Sequence, residues 1–250
     1  MLLAIDIGNT NTVLGIFDGE RLVDSWRVRT DRHATADEMG LLYRGLLAGY
    51  TVDGVSVCST VPAVLREVRR TVVRSFDSVP AVIVEPGIRT GVPILIDNPK
   101  EAGADRIMNT LAAHHLYGGP AVVVDFGTAT NLDVVSARGE YLGGALAPGI
   151  EIALDALASR AAQLRNVELV TPRTVIGKST VECLQAGMIF GAVGQVDGLV
   201  RRIAEELRAE PAVIATGGLA PLVVKESETL RYHEPHLTLI GLRLVFEKNI

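Results

Sequence analysis

The sequence predicts an α/β protein of two similar halves, each with a mixed sheet that opens with three consecutive strands and is flanked by helices, with a cleft between the halves. Three observations lead there. An apolar run ending in an aspartate and then a glycine–threonine turn occurs twice: Leu2 to Asp6 with Gly8-Asn9-Thr10, and Ala121 to Asp125 with Gly127-Thr128. The two aspartates are 125 − 6 = 119 residues apart in a chain of 250, about half its length. In each half, short β-type runs joined by tight turns precede any long helical pattern. The halves are taken as residues 1–117 and 118–250.

In the first half, Leu2 to Ile5 reads as a strand buried on both faces, and Val13 to Phe17 as its hairpin partner. A turn at Asp18-Gly19-Glu20 leads to a third strand carrying Leu22, Trp26 and Val28. Thr35 and Glu38 form a capping box, and Met39, Leu42, Tyr43, Leu46 and Leu47 repeat at helical spacing up to Gly49. Val55 to Cys58 is a strand, Pro62 starts a helix to about Ser75, and Ala81 to Val84 is a further strand. Prolines and glycines at 86–101 exclude a long regular element there. Ile107, Met108, Leu111, Ala112 and His115 then define a helix with Asp105 and Arg106 in its first turn. A carboxylate in that place either acts as a base or complements the helix dipole, and local sequence favours the dipole.

In the second half, Ala121 to Asp125, Leu132 to Val135 and Tyr141-Leu142 are strands, the last two joined by a turn at Ala137-Arg138-Gly139. Gly143 to Gly149 reads as a glycine-rich bend into a helix from Ile150 to Ser159. A helix from about Thr180 to Glu206 carries Gly187, Gly191, Gly194 and Gly198 along one side. Each glycine costs a helix roughly 1 kcal/mol against alanine, so the stripe predicts close approach by another backbone or a ligand, or a helix broken in two. Val213 to Ala215 ends in Thr216-Gly217-Gly218, a third strand-to-glycine turn.

Composition bounds the function. Nearly half the residues are hydrophobic, 48%, enough for a substantial core, and 24 basic against 29 acidic residues leave a net charge of −5. Arg66, Arg69 and Arg70 fall on one exposed helix side and no basic run suggests a nucleic-acid face. No apolar run approaches the roughly 18 residues of a membrane span, and no basic segment precedes the first apolar run. Cys58 and Cys183 lie outside any CxxC pair and read as reduced core thiols. A soluble cytoplasmic protein with neither nucleic-acid nor membrane partners is expected.

The turns supply the chemistry. Each offers a carboxylate, a glycine without a Cβ, and N–H and hydroxyl donors, which suit phosphate oxygens and a hydrated cation. Gly177-Lys178-Ser179 lacks the upstream glycine of a P-loop. His114 and His115 are adjacent on one helix, point in different directions, and have no third ligand in view.

Taken in order, Asp6-x-Gly8-Asn9-Thr10, Gly103-Ala104-Asp105-Arg106, Asp125-x-Gly127-Thr128-x-Thr130, Gly143-Gly144-x-x-x-Pro148-Gly149 and Ala215-Thr216-Gly217-Gly218 resemble type III pantothenate kinases over nearly the whole chain. The first, third and fifth of these motifs resemble the broader acetate and sugar kinase, Hsp70 and actin superfamily, which implies two ribonuclease H-like (actin-like ATPase) domains. Asn98-Pro99-x-Glu101-x-Gly103-Ala104-Asp105-Arg106 narrows the likeness to this kinase type.

The resemblance implies transfer of the γ-phosphoryl of ATP to the terminal hydroxyl of pantothenate, the first step towards coenzyme A, with Mg²⁺ and a monovalent cation, K⁺ or NH₄⁺. It places Asp6, Ile7, Gly8, Asn9, Thr10, Asn11, Thr12 and Val13 in the first phosphate loop, Asp6 meeting Mg²⁺ through water. Thr128 serves the second loop, and Thr216, Gly217 and Gly218 lie near adenosine. Asp105 is the base, Gly103, Ala104, Asp105, Arg106 and Thr180 hold pantothenate, and Asp125 binds the monovalent cation. A homodimer is implied. The chain departs from many members at Ile96, where they carry a tyrosine beside pantothenate. Two readings compete: a kinase for another small hydroxylated acid or sugar, and a regulator that keeps the nucleotide cleft but not turnover.

Overall fold

The computed structural model describes residues 1–77, 79–160 and 167–250. It divides into two compact units: Met1–Val92 with Asn98–Ala112 and Leu237–Ile250, and Pro93–Asp97 with Ala113–His236.

In the first unit, β1 (Leu2–Ile7), β2 (Asn11–Asp18) and β3 (Arg21–Arg29) form an antiparallel meander. β4 (Gly54–Ser59) and β5 (Ala81–Ile83) add in parallel beside β1, giving the order β3-β2-β1-β4-β5. β1 is apolar throughout its first residues because it is central and covered on both faces. Leu3, Ile5 and Ile7 face α1 (Ala36–Leu46) and α2 (Pro62–Ser75), packing with Met39, Tyr43, Val64 and Val68. Leu2 and Ala4 face the other way, towards Met108 of α3 (Ala104–Tyr117) and Leu239, Leu242 and Val245 of α7 (Leu237–Glu247). The capping box at Thr35 and Glu38 forms as its residues dictate. Leu42 does not join the buried stripe of α1; it is exposed, and Met39 and Tyr43 carry the packing.

The second unit repeats the plan. β6 (Ala121–Phe126) pairs antiparallel with β7 (Ala129–Val135), which pairs with β8 (Tyr141–Pro148). β9 (Ala212–Thr216) and β10 (Tyr232–His233) run parallel on the other side, giving the order β10-β9-β6-β7-β8. α4 (Ile150–Arg160), α5 (Thr180–Leu207) and the short α6 (Ala220–Val223) complete the unit. Val122, Val124, Phe126 and Leu132 meet Ile189, Val193, Val196 and Val200 of α5 in its core.

Several expectations are revised. The C-terminal helix groups with the first unit rather than with 118–250, because its apolar residues cover the sheet face beneath Leu2 and Ala4. Residues Gly143 to Pro148 are strand rather than bend. Gly144 belongs there because a Cβ on it would overlap the Leu132 carbonyl of β7. α5 is one unbroken helix, but beyond the helix's own backbone its four glycines have no atom within 4 Å of where a Cβ would stand, so no close neighbour among the described residues explains them. By length and composition α5 could cross a membrane; its apolar residues instead line the core of the second unit. Cys183 is exposed, unlike Cys58, because it falls on the outer side of α5.

Candidate active site

The first unit gathers its functional groups at the C-terminal end of β1. Asp6 is the last polar position before the loop, and the register sets it opposite Val13 of β2 and Cys58 of β4. Within the loop, the Gly8 N–H donates to the Asn11 carbonyl at 3.0 Å, closing the turn. Asn9 and Thr10 are exposed at its tip, while Ile7 and Thr12 are buried beneath it and Asn11 and Val13 are half-buried. Thr30 pins the loop from β3. Its hydroxyl donates to the Gly8 carbonyl at 2.8 Å and lies 2.9 Å from the Thr12 hydroxyl, and its N–H donates to the Thr10 carbonyl at 2.9 Å. The sequence reading missed Thr30; the signal was its place one residue beyond the strand that pairs with Asn11.

Asp105 stands in the first turn of α3, on the sheet face that carries Asp6. Its Oδ1 accepts from the Arg106 N–H at 2.9 Å, and a Cβ on Gly103 would overlap that carboxylate, so the glycine makes room for it. Ala104 packs into the same face beside Met108. The charge of Asp105 reaches Asp6. Burial, then the charge of Asp105, raise the Asp6 pKa from 3.8 to about 7, against the Cys58 thiol that donates to Asp6 Oδ1 at 3.2 Å and the positive charge of Arg27. Burial also raises Asp105, opposed by the Arg106 N–H and guanidinium. Burial thus raises the proton affinity of both carboxylates, a perturbation common at catalytic sites. Cys58 is fully buried with its pKa pushed well up by burial and by both acids, which leaves it a hydrogen-bond donor rather than a nucleophile.

The second unit builds a parallel arrangement at the end of β6. Asp125 pairs across to Asn131 and Thr216. The Gly127 N–H donates to the Ala129 carbonyl at 3.0 Å, and Thr128 is exposed at the loop tip, its carbonyl accepting from the Gly149 N–H at 3.1 Å. Gly217 has φ +91°, and a Cβ there would overlap Asp125 Oδ1 and lie 2.6 Å from the Phe126 N and O. This close approach sets Gly217 against Asp125, which also has Thr216 as its neighbour in register. Thr216 is buried while Gly218 is exposed.

Thr180, also in this unit, is exposed at the start of α5, whose N-cap Ser179 accepts from the Glu182 N–H at 3.2 Å. Beside it, Arg173, Lys178, Glu182 and Gln185 border a cavity of about 530 Å³. Ile96 reaches β8 within 3.3 Å of the Cβ position of Gly143. His114 and His115 belong to no cluster of metal-ligating side chains among the described residues.

Twin sheets of this topology, each ending its central strand in an aspartate and a glycine–threonine loop, are two ribonuclease H-like domains, a fold that solved sugar kinases share. The solved ROK hexokinase from Thermus thermophilus shares the fold, with a TM-score of 0.55 and 16% identity over 99% of this chain and 98% of that one. The family model for type III pantothenate kinase matches residues 2–202. Type III pantothenate kinases from Frankia alni and Salinispora arenicola are 80% and 65% identical to the chain, each comparison covering 100% of both proteins. The chain belongs to the type III pantothenate kinase family.

Proposed function

We propose that the chain phosphorylates pantothenate with ATP, giving 4′-phosphopantothenate on the route to coenzyme A, with the donor held by the loops at Asp6 and Thr128 and the proton taken by Asp105. Family membership makes it an ATP-dependent pantothenate kinase that uses a divalent metal. The observation that carries the assignment of roles is Asp105: a shielded carboxylate with raised proton affinity, close enough for its charge to act on Asp6 at the phosphate loop. Phosphoryl transfer depends on positioning and charge stabilisation more than on covalent help from the protein. A hydroxyl nucleophile gains from a nearby carboxylate base.

Asp6, Ile7, Gly8, Asn9, Thr10, Asn11, Thr12 and Val13 form the first phosphate loop in this reading, its shape set by Thr30. Asp6 suits a hydrated divalent cation, because a buried carboxylate beside a second acid gains most from positive charge. Asp6 would hold Mg²⁺ there through water, and the cation would offset the negative charge of the phosphates. Gly103, Ala104, Arg106 and Thr180 hold pantothenate, Arg106 meeting its carboxylate bidentately. Thr216, Gly217 and Gly218 contribute to adenosine binding, and Asp125 takes the monovalent cation, K⁺ or NH₄⁺. The enzyme acts as a cytoplasmic homodimer, without nucleic-acid or membrane partners. Ile96 in place of an aromatic ring lowers affinity for pantothenate without removing the charged groups.

ADP release is the test. Turnover with ATP, Mg²⁺ and pantothenate should rise when Na⁺ is replaced by K⁺ or NH₄⁺, and Asp125→Asn should abolish that rise. Equal rates in Na⁺ and K⁺ would refute the cation assignment, and no pantothenate-dependent ADP would refute the reaction.

A further inference from the structure

The sheet face that carries Asp6 holds a charged side chain with no role in the scheme above. Trp26 and Val28 of β3 pack with the core beneath α1 and α2. Alternation along the strand therefore turns Arg27, between them, to the opposite face, where Asp6, Asp105 and the helices α3 and α7 lie. The register places Arg27 opposite Val13, Val13 opposite Asp6, and Asp6 opposite Cys58, one lateral row across four strands. Two strand spacings separate Arg27 from Asp6, roughly 10 Å between backbones, and an extended arginine side chain covers more than half of that.

Arg27 is exposed and, among the described residues, its side chain takes part in no hydrogen bond or ion pair. Other arginines of the same unit are committed: Arg32 donates to Asn9 at 3.0 Å, and Arg69, Arg70 and Arg74 pair with Glu85, Glu67 and Asp37. The charge of Arg27 is nevertheless felt at Asp6, where it opposes that of Asp105.

We propose that Arg27 is a further catalytic residue whose guanidinium contacts the phosphoryl group in transfer. Two carboxylates and a nucleotide place like charges in one small region. A fixed cation on the same row offsets them, and a planar guanidinium matches the equatorial oxygens of the group being transferred. Charge that develops in the transition state is where such a donor acts most strongly. The proposal rests on the reading of Asp6 and Asp105 as the site.

The test uses the full chain with ATP and pantothenate, comparing Arg27→Gln, Arg27→Lys and Arg29→Gln, with Arg27→Ala assayed in added guanidinium ion. Arg29 lies on the same face, opposite Asn11, so it controls for a diffuse charge effect. Arg27→Gln is expected to lower kcat about 100-fold, with KM for pantothenate and calorimetric affinity for MgADP within about threefold of the parent. Arg27→Lys should fall between, Arg29→Gln should retain its kcat, and guanidinium ion should restore turnover to Arg27→Ala. Retained kcat in Arg27→Gln, equal losses in the Arg27→Gln and Arg29→Gln proteins, or absence of rescue would overturn the proposal. Asp105→Asn is assayed alongside. Should it retain turnover while Arg27→Gln loses it, the base assignment fails and the Arg27 proposal stands.

Discussion

Replacing Asp6 with asparagine should stabilise the ligand-free protein while abolishing its activity. Burial and the charge of Asp105 raise the Asp6 pKa from 3.8 to about 7. A group whose folded pKa is raised contributes stability that is complete below its unfolded pKa and is lost as pH rises through the folded one. The loss therefore develops between about pH 4 and pH 7 and is complete near pH 8. At about 1.4 kcal/mol per pH unit, the charged carboxylate costs the folded state roughly 4 kcal/mol at pH 8 and about 1 kcal/mol at pH 4.5. Asparagine is nearly isosteric, retains an oxygen to accept from the Cys58 thiol, and carries no charge to desolvate. Urea unfolding of both proteins in the absence of nucleotide and Mg²⁺ measures the difference. The variant should gain stability at pH 8 and lose most of that gain at pH 4.5. MgADP should reverse the ranking, because only aspartate offers the cation a full charge. A variant less stable than the parent at pH 8, or a difference independent of pH, would refute the reasoning.

Asp105→Asn should lower kcat by about 10²–10⁴-fold, the range for loss of a general base, with pantothenate KM nearly unchanged; steady-state kinetics checks both. Gly217→Ala should cost about 1–3 kcal/mol of stability and weaken ATP binding, because the added Cβ meets Asp125 and the Phe126 backbone at positive φ; denaturation and calorimetry measure these effects. In the native protein, a thiol reagent should modify Cys183 quickly and spare Cys58 until unfolding, because Cys183 is exposed and Cys58 is fully buried. Peptide mapping after a short exposure decides it.

The elements whose purpose is local were legible in the sequence. The capping box at Thr35, Pro62 at a helix start, and the two apolar strands ending in Asp6 and Asp125 announce themselves within a few residues. Features that depend on distant partners were not. The glycines of β8 read as a bend because local sequence cannot show that the Leu132 carbonyl crowds Gly144 from the neighbouring strand. α7 returns to the first unit through packing against β1 and β4, which sequence position alone does not reveal. Cys183 read as core because a cysteine among apolar residues is usually buried, yet the helical phase turns it outward. The same limit held at the site. Motif residues carried the resemblance, whereas Thr30 and Arg27 acquire meaning only through the register that sets β3 beside β2. For Asp105, local sequence favoured the dipole partner, because the burial that raises its proton affinity depends on the fold around it.

The central claim is that this chain moves the γ-phosphoryl of ATP to pantothenate. The most direct measurement incubates the purified protein with ATP, Mg²⁺, K⁺ and pantothenate and follows both ADP and 4′-phosphopantothenate by mass spectrometry. The account predicts the two products in equal amounts, and none of the phosphorylated product from Asp6→Asn. Phosphorylation of other hydroxyl acids or sugars in preference to pantothenate, or nucleotide binding without either product, would contradict it.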